Sequence, residues 1–341
     1  MDSRQRIRAI IGRKAPDRTG FWLGNPDGAT WPILHRHFAT PDQETLRQKL
    51  GDDFRWIAPF DYAHPEGRPM WEISKHAFGS AGPLAACETV AEVEAWPHWP
   101  DAAYMDFAPT IAALRATGPY YRASGMWTHF YHVVMDLFGF EDYLAKMHTH
   151  PAVVEAATER VCQFFYDANE SFFPLARGEV DGYFFGNDFG TQQDCICSPK
   201  LFDRFVLPWF RRFTEQGHRH GLQVILHSCG SIHRVIPRLI DAGVDCLHPL
   251  QAKARGMDAA DLARQFSGKI AFLGGIDAQD LLPHGTPQQI RDEVCRVRDL
   301  LGPHVIISPS HEAVLPDVPP ENVAAMAAAA VDPQPARTAA A

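Results

Sequence analysis

The feature that most constrains the fold of this chain is a regular succession of short apolar runs, each ending in polar or glycine residues. Eight runs have the length expected of strands: Thr19–Gly24, Asp53–Pro59, Tyr120–Met126, Gly182–Asp188, Gln223–Cys229, Val244–Leu250, Ile270–Asp277 and His304–His311. Helical patterns separate the later runs, and strands that alternate with helices pair in parallel. Eight such units within 341 residues predict a single (β/α)8 barrel, the TIM-barrel architecture.

The helical patterns between the later strands also have recognisable boundaries. They cover Pro199–His220, Ile232–Ala242, Asp258–Phe266 and Thr286–Leu301. Ser198 is a typical N-cap residue, and the proline that follows it is favoured at the first helical position. A doubly wound open sheet would give the same alternation. The strand count and the lack of a GxGxxG turn in the sequence favour the barrel.

Three further segments complete the predicted domain organisation. The first residues form an amphipathic pattern with Ile7, Ile10 and Ile11 on one face, which predicts an N-terminal helix. Residues 60–118 are rich in Pro, His and Trp, and we expect them to form an insertion over the barrel mouth. We therefore expect one barrel domain over residues 1–331 and a disordered Ala- and Pro-rich tail over residues 332–341.

Composition excludes several classes of partner. The formal net charge is −9, without a basic stripe, so nucleic acid is not an expected partner. No run approaches the ~18 apolar residues of a membrane span, and we do not expect the charged first residues to act as a signal peptide. The seven scattered cysteines argue against a disulfide framework, so we expect a cytoplasmic protein.

Polar residues follow the predicted strands at their carboxyl ends, where barrels of this class place their chemistry. Asp61 follows the second strand, Asn187 and Asp188 follow the fourth, and Gln251 follows the sixth. We expect Asn187, Asp188 and Gln251 to face one substrate cavity. The apolar walls of that cavity are assigned to Trp127 and Phe184.

The segment His227-Ser228-Cys229-Gly230 at the end of the fifth strand indicates a metal site. Residues two apart on a strand share a face, so His227 and Cys229 can converge, and imidazole with thiolate suits zinc. His311, at the end of strand eight, is the first choice for a third ligand, with Glu312 and Asp188 as alternatives. A buried cysteine beside a hydrogen-bonded histidine would show the same local pattern, and that interpretation stays open.

Several motifs in the right order resemble the uroporphyrinogen decarboxylase superfamily. They are HSCG at 227–230, AGVDCLHPLQ at 242–251, LGGID at 273–277 and SPSHEAVLPDVPPENV at 308–323. The resemblance runs from about Asp181 onward and, more faintly, from the N-terminal helix. It implies a (β/α)8 barrel, in agreement with the strand count.

The resemblance implies two chemistries. True decarboxylases of the family carry an arginine-rich motif after the first strand, and this place reads GNPDGATW at 24–31, without arginine. Asp61 matches their strand-two aspartate and His311 resembles their C-terminal histidine. The corrinoid-linked methyltransferases of the other branch hold zinc with a His-x-Cys at strand five and a further cysteine near strand eight. His227 and Cys229 match the first two positions, and His311 stands at the third.

The favoured expectation is therefore a zinc-dependent methyltransferase of the demethylase type, acting on a small methylated compound, aromatic compounds included. A corrinoid carried by a partner protein and a homodimer are open options. Asp188 and Asp61 would act as acid or base, or would orient the histidines. The alternative is a decarboxylase or related lyase acting on a small acid, with Asp61 and His311 protonating the product. A barrel that binds a corrinoid or porphyrin without turnover is a third interpretation.

Overall fold

The barrel is seen in a computed structural model that describes residues 1–73, 80–311 and 313–332. Its parallel strands are ordered β1-β8-β7-β6-β5-β4-β3-β2. They are β1 (Gly20–Phe21), β2 (Phe54–Trp56), β3 (Tyr121–Ser124), β4 (Gly182–Gly186), β5 (Gln223–His227), β6 (Cys246–His248), β7 (Ala271–Ile276) and β8 (Val305–Pro309). The Asp53 amide donates to the Phe21 carbonyl at 2.9 Å and links β2 to β1, so the sheet is a nearly closed barrel. The predicted (β/α)8 barrel is confirmed.

Helices surround the sheet. In chain order they are α1 (Ser3–Ile11), α2 (Thr30–Phe38), α3 (Gln43–Lys49), α4 (Val90–Glu94), α5 (Ala108–Ala116), α6 (Phe130–Phe138), α7 (Phe140–Thr149), α8 (Pro151–Leu175), α9 (Pro199–Phe205), α10 (Leu207–Arg219), α11 (Ile236–Asp241), α12 (Ala259–Phe266), α13 (Leu281–His284), α14 (Pro287–Leu301) and α15 (Pro320–Val331). The prediction of one helix over Pro199–His220 is wrong, because Pro208 cannot donate a backbone hydrogen bond and the chain breaks at Val206 between α9 and α10. The Ser198 hydroxyl accepts the Leu201 amide, which confirms the predicted N-cap.

The interior of the barrel is filled by large side chains from alternate strand positions. The residues of this inner core include Trp22, Phe54, Tyr121, Phe184, Ile225 and Leu273. The α1 residues Ile7, Ile10 and Ile11 are fully buried in the same core, as their spacing predicts. Because α1 contacts β1, β2, β3, β7 and β8, it closes the end of the barrel opposite the strands' carboxyl ends. The other end is the one at which enzymes with this fold place their active sites.

The insertion between β2 and α5 packs on the helices that follow β3. The Leu84 amide donates to the Leu137 carbonyl at 2.7 Å, and the Trp71 ring lies 5.3 Å from that of Phe164. Because α6 and α7 connect the carboxyl end of β3 to α8, this part of the insertion lies on the mouth side of the barrel. Residues 74–79, the candidate ligand Glu312 and the predicted tail beyond Asp332 lie outside the described residues. Among the helices of the described ranges, none combines the length and apolar character needed to cross a membrane.

Candidate metal centre at the barrel mouth

The end of β5 directs two donor side chains into the barrel. Ile225 belongs to the inner core, and alternation along the strand turns His227 and then Cys229 to the same side. Gly230 has a φ of +85°, and a Cβ atom there would lie 2.3 Å from the backbone of Gly190. Only glycine allows the chain to leave the barrel so abruptly at this point.

Four potential ligands meet beside this turn. The Cys229 sulfur lies 3.5 Å from Nε2 of His227 and 3.5 Å from Nδ1 of His311. Oδ1 of Asp188 lies 3.2 Å from Nε2 of His227. The ligand atoms of Asp188, His227 and Cys229 all lie within 4.8 Å of one another, close enough to share one metal ion. The structure thus brings together residues that the sequence places at the ends of β4, β5 and β8.

Asp188 is held in place by the same turn. Its Oδ1 accepts the backbone amide of Cys229 at 2.8 Å. Burial tends to raise the pKa of this carboxyl, but the hydrogen bond and charge of His227, together with the Cys229 amide, outweigh it and hold the pKa well below its usual value. Asp188 is therefore ionised at neutral pH and serves as a hydrogen-bond acceptor or a ligand. Its Oδ2 lies 3.9 Å from Nε2 of His132, whose pKa is lowered chiefly by burial.

His248 adjoins the centre on its inner side, although the sequence analysis assigned it no role. It is paired with His227 in the register of β5 and β6, and the two Nδ1 atoms are 3.0 Å apart. His248 is fully buried, and burial lowers its pKa well below the ordinary value. The sequence signal was its alternation with Cys246, which also points inward.

Aromatic side chains form one wall beside the centre. The Trp127 ring lies 5.5 Å from the ring of His227, 4.9 Å from that of Trp56 and 5.6 Å from that of Phe184. A Cβ atom on Gly186 would lie 2.2 Å from the Trp127 indole, so a glycine at the end of β4 allows the indole to lie there. Of the predicted wall residues, Trp127 thus adjoins His227, and Phe184 packs against Trp127.

The polar groups of the predicted substrate-binding residues Asn187 and Gln251 bond to nearby backbone. The Asn187 side chain accepts from the Tyr131 amide and donates to the Thr128 carbonyl, at 2.9 and 2.8 Å. Oε1 of Gln251 accepts the Gly230 amide at 2.6 Å. These bonds fix the loop that carries Trp127 and the turn after Cys229. Contact of either side chain with substrate stays a prediction.

Asp61 is not one of the residues that converge at the end of β5. It is exposed on the segment after β2, where its backbone carbonyl accepts the Asp106 amide at 2.9 Å. The described residues whose ligand atoms lie within 4.8 Å of one another are Asp188, His227 and Cys229, and Asp61 does not belong to that group. A catalytic role for Asp61 stays a prediction.

The chemistry of the donor set fits a transition-metal ion. A thiol, two imidazoles and a carboxylate are the ligand types that zinc takes in proteins, and hard ions such as Mg²⁺ prefer oxygen alone. Cys229 and Asp188 would supply two negative charges, which balance a divalent cation. A catalytic zinc site uses three protein ligands and leaves a position for substrate. Asp188, His227 and Cys229 supply that number, and His311 lies beside Cys229 as a further donor.

Comparisons with known proteins agree with this architecture. A structure described as a methyltransferase from Methanosarcina mazei superposes with a TM-score of 0.66 at 16% identity, over 96% of this chain and 98% of that one. A methylated-thiol–coenzyme M methyltransferase of the same organism is 29% identical over 114 residues, which is 31% of this chain and only 28% of the relative. The profile of the family described as uroporphyrinogen decarboxylase (URO-D) matches residues 122–332, more than half of the chain. The chain therefore belongs to the uroporphyrinogen decarboxylase (URO-D) family.

Proposed function

We propose that this protein is a zinc-dependent methyltransferase of the demethylase type, acting on a small methylated compound. The observation that carries the proposal is the convergence of Cys229 with His227, His311 and Asp188 at the barrel mouth. The similarity to a methylated-thiol–coenzyme M methyltransferase supports the same reaction class. The cytoplasm is the proposed location.

His227, Cys229 and His311 are the proposed zinc ligands. When bound, zinc would supply a Lewis acid that polarises an ether oxygen or lowers the pKa of a thiol. Compared with a site of two cysteines and one histidine, this ligand set contributes one negative charge fewer, which strengthens the Lewis acid. A histidine in place of the second cysteine therefore favours activation of the atom from which the methyl group is transferred.

Residues of the chain itself would position the substrate. The partly exposed Trp127 offers an aromatic surface next to His227, suited to a small aromatic or methylated compound. The ionised Asp188 would accept a hydrogen bond through Oδ2, the oxygen not used by the Cys229 amide. The segment 24–31 contains no arginine, and burying several substrate carboxylates without cationic partners is prohibitive. A porphyrinogen with many carboxylates is therefore a poor candidate.

The methyl acceptor is proposed to be a corrinoid carried by a partner protein, with free cob(I)alamin as its experimental substitute. The test incubates the zinc-loaded and the zinc-depleted protein with 2-methoxyphenol and cob(I)alamin, and follows the absorbance of methylcob(III)alamin. The methyl group leaves the ether oxygen for cobalt, and that oxygen takes up a proton as phenol. Because 2-methoxyphenol represents only the aromatic methyl ethers, a methyl thioether and a methylated amine are assayed in parallel.

The proposal predicts methyl transfer from at least one of these donors, lost on zinc removal and restored by zinc. The family description favours a second candidate, a decarboxylase acting on a small acid. Release of CO2 from such an acid by the zinc-free protein, without methyl transfer from any donor, would establish that alternative and overturn the proposal.

A further inference from the structure

The contact between two buried imidazoles on β5 and β6 identifies a further residue of the centre. The Nδ1 atoms of His227 and His248 are 3.0 Å apart, so one of them must donate and the other accept. We infer that His248 is a positioning residue, which accepts the Nδ1–H of His227 and so keeps the Nε2 lone pair of His227 directed at the metal position. The inference rests on the proposed function, because it assigns His227 as a zinc ligand.

When zinc is bound, Nε2 of His227 carries no proton, and the direction of this hydrogen bond follows from that nitrogen. Nε2 faces the Cys229 sulfur at 3.5 Å and the Asp188 carboxylate at 3.2 Å, so it is the nitrogen on the metal side. A neutral imidazole binds a metal through its unprotonated nitrogen, which puts the ring proton on Nδ1. A buried Nδ1–H requires an acceptor, and Nδ1 of His248 is in hydrogen-bonding position to provide it.

Packing holds the His248 ring in the orientation that this role requires. Its centroid lies 5.3 Å from the Trp22 ring and 5.3 Å from the Phe184 ring, and the residue is fully buried. With Nδ1 as acceptor, the His248 proton lies on Nε2. Among the described residues this Nε2 has no hydrogen-bond partner. A buried polar atom without a hydrogen-bond partner lowers the stability of the fold. A histidine at this position is therefore best explained by a function of its other ring nitrogen, Nδ1.

The matched variants His248→Asn and His248→Leu test the inference. Asparagine and leucine have similar size and shape, but only asparagine offers an acceptor near the position of Nδ1. Zinc affinity is measured by competition with a chromophoric chelator, and the cobalt-substituted proteins are compared by visible absorption. Loss of an outer hydrogen-bonding partner typically weakens metal binding about 10- to 100-fold. We expect that loss, with an altered cobalt spectrum, for His248→Leu, and substantial recovery of both for His248→Asn.

The outcomes separate this inference from the proposed function. A wild-type protein that binds no zinc overturns both. A wild-type protein that binds zinc, with a His248→Leu variant of equal affinity and unchanged cobalt spectrum, overturns only the role of His248. Circular dichroism checks that each variant folds. If His248→Leu does not fold, long-range ¹H–¹⁵N NMR of the zinc-loaded wild type decides. A protonated Nδ1 on His248 would then contradict the inference, and a protonated Nε2 would support it.

Discussion

The sulfur of Cys229 lies 3.5 Å from Nδ1 of His311, although 82 positions separate the two residues in the chain. Cys229 follows β5 and His311 follows β8, so the contact spans the mouth of the barrel rather than joining neighbouring strands. A group held by both residues would therefore lie over the barrel axis, where a substrate entering the mouth meets it.

His311 should be needed for metal binding. Loss of a residue that only hydrogen-bonds to a metal ligand weakens metal binding about 10- to 100-fold. His311→Ala removes a ligand itself, so we expect zinc affinity to fall by more than this. Chelator competition measures this change. His37, which is exposed in the last turn of α2, provides the matched control His37→Ala, which should bind zinc as the wild type does. Equal affinities for the two variants would exclude His311 as a ligand.

Asp188→Asn keeps the shape of the side chain and an oxygen that can accept the Cys229 amide, but it removes the negative charge. We expect weaker zinc binding and reduced methyl transfer, with thermal stability close to that of the wild type. Isothermal titration with zinc and a thermal melt of the metal-free protein measure the two effects separately. Unchanged zinc affinity together with unchanged methyl transfer would show that the charge of Asp188 has no part in the site.

The α1 helix should contribute substantially to stability because its isoleucines fill the closed end of the barrel. Ile10 is fully buried in the inner core, and Ile10→Ala should cost about 2–5 kcal/mol of unfolding free energy. Leu175 is 56% exposed, and Leu175→Ala should change stability by about 0.5 kcal/mol or less. Urea unfolding followed by circular dichroism measures both. If the two variants were equally stable, α1 would not be part of the core.

The ion pair of His218 with Asp245 should make stability depend on pH. Nε2 of His218 donates a hydrogen bond to the Asp245 carboxylate at 2.9 Å, and this bond raises the pKa of His218 above its ordinary 6.5. The negative charge of Asp245 acts in the same direction, against the effect of burial. The stabilisation is therefore complete below that ordinary value and is lost as pH rises through the folded-state pKa. Both side chains are partly exposed, so the contribution should stay below about 1 kcal/mol.

The variant His218→Gln isolates this effect. The difference in unfolding free energy between wild type and variant should be larger at about pH 5.5 than at about pH 9, where histidine is neutral. A difference that grows toward high pH would contradict the assignment.

Alternation of residues along strands allowed the sequence to predict most of the barrel and the pairing of His227 with Cys229. The role of His248 could not be predicted in the same way. Its contact with His227 depends on the register between β5 and β6, which no local spacing specifies. Side-chain type also does not distinguish a substrate contact from a loop contact, and the amides of Asn187 and Gln251 hold backbone turns. Pro208 marks the break between α9 and α10 in the sequence. The residues on both sides of it continue one helical pattern, so that pattern by itself predicts a single helix.

The metal content of the purified chain tests the central claim most directly. Inductively coupled plasma mass spectrometry should find one zinc per chain in the wild type and in Cys295→Ser, a control on helix α14 whose sulfur accepts a hydrogen bond from Arg298. Cys229→Ser should contain little zinc, because a protonated serine is a poor ligand of nearly the same volume as cysteine. A wild type without zinc after exposure to it, or a Cys229→Ser variant with a full complement, would contradict the account.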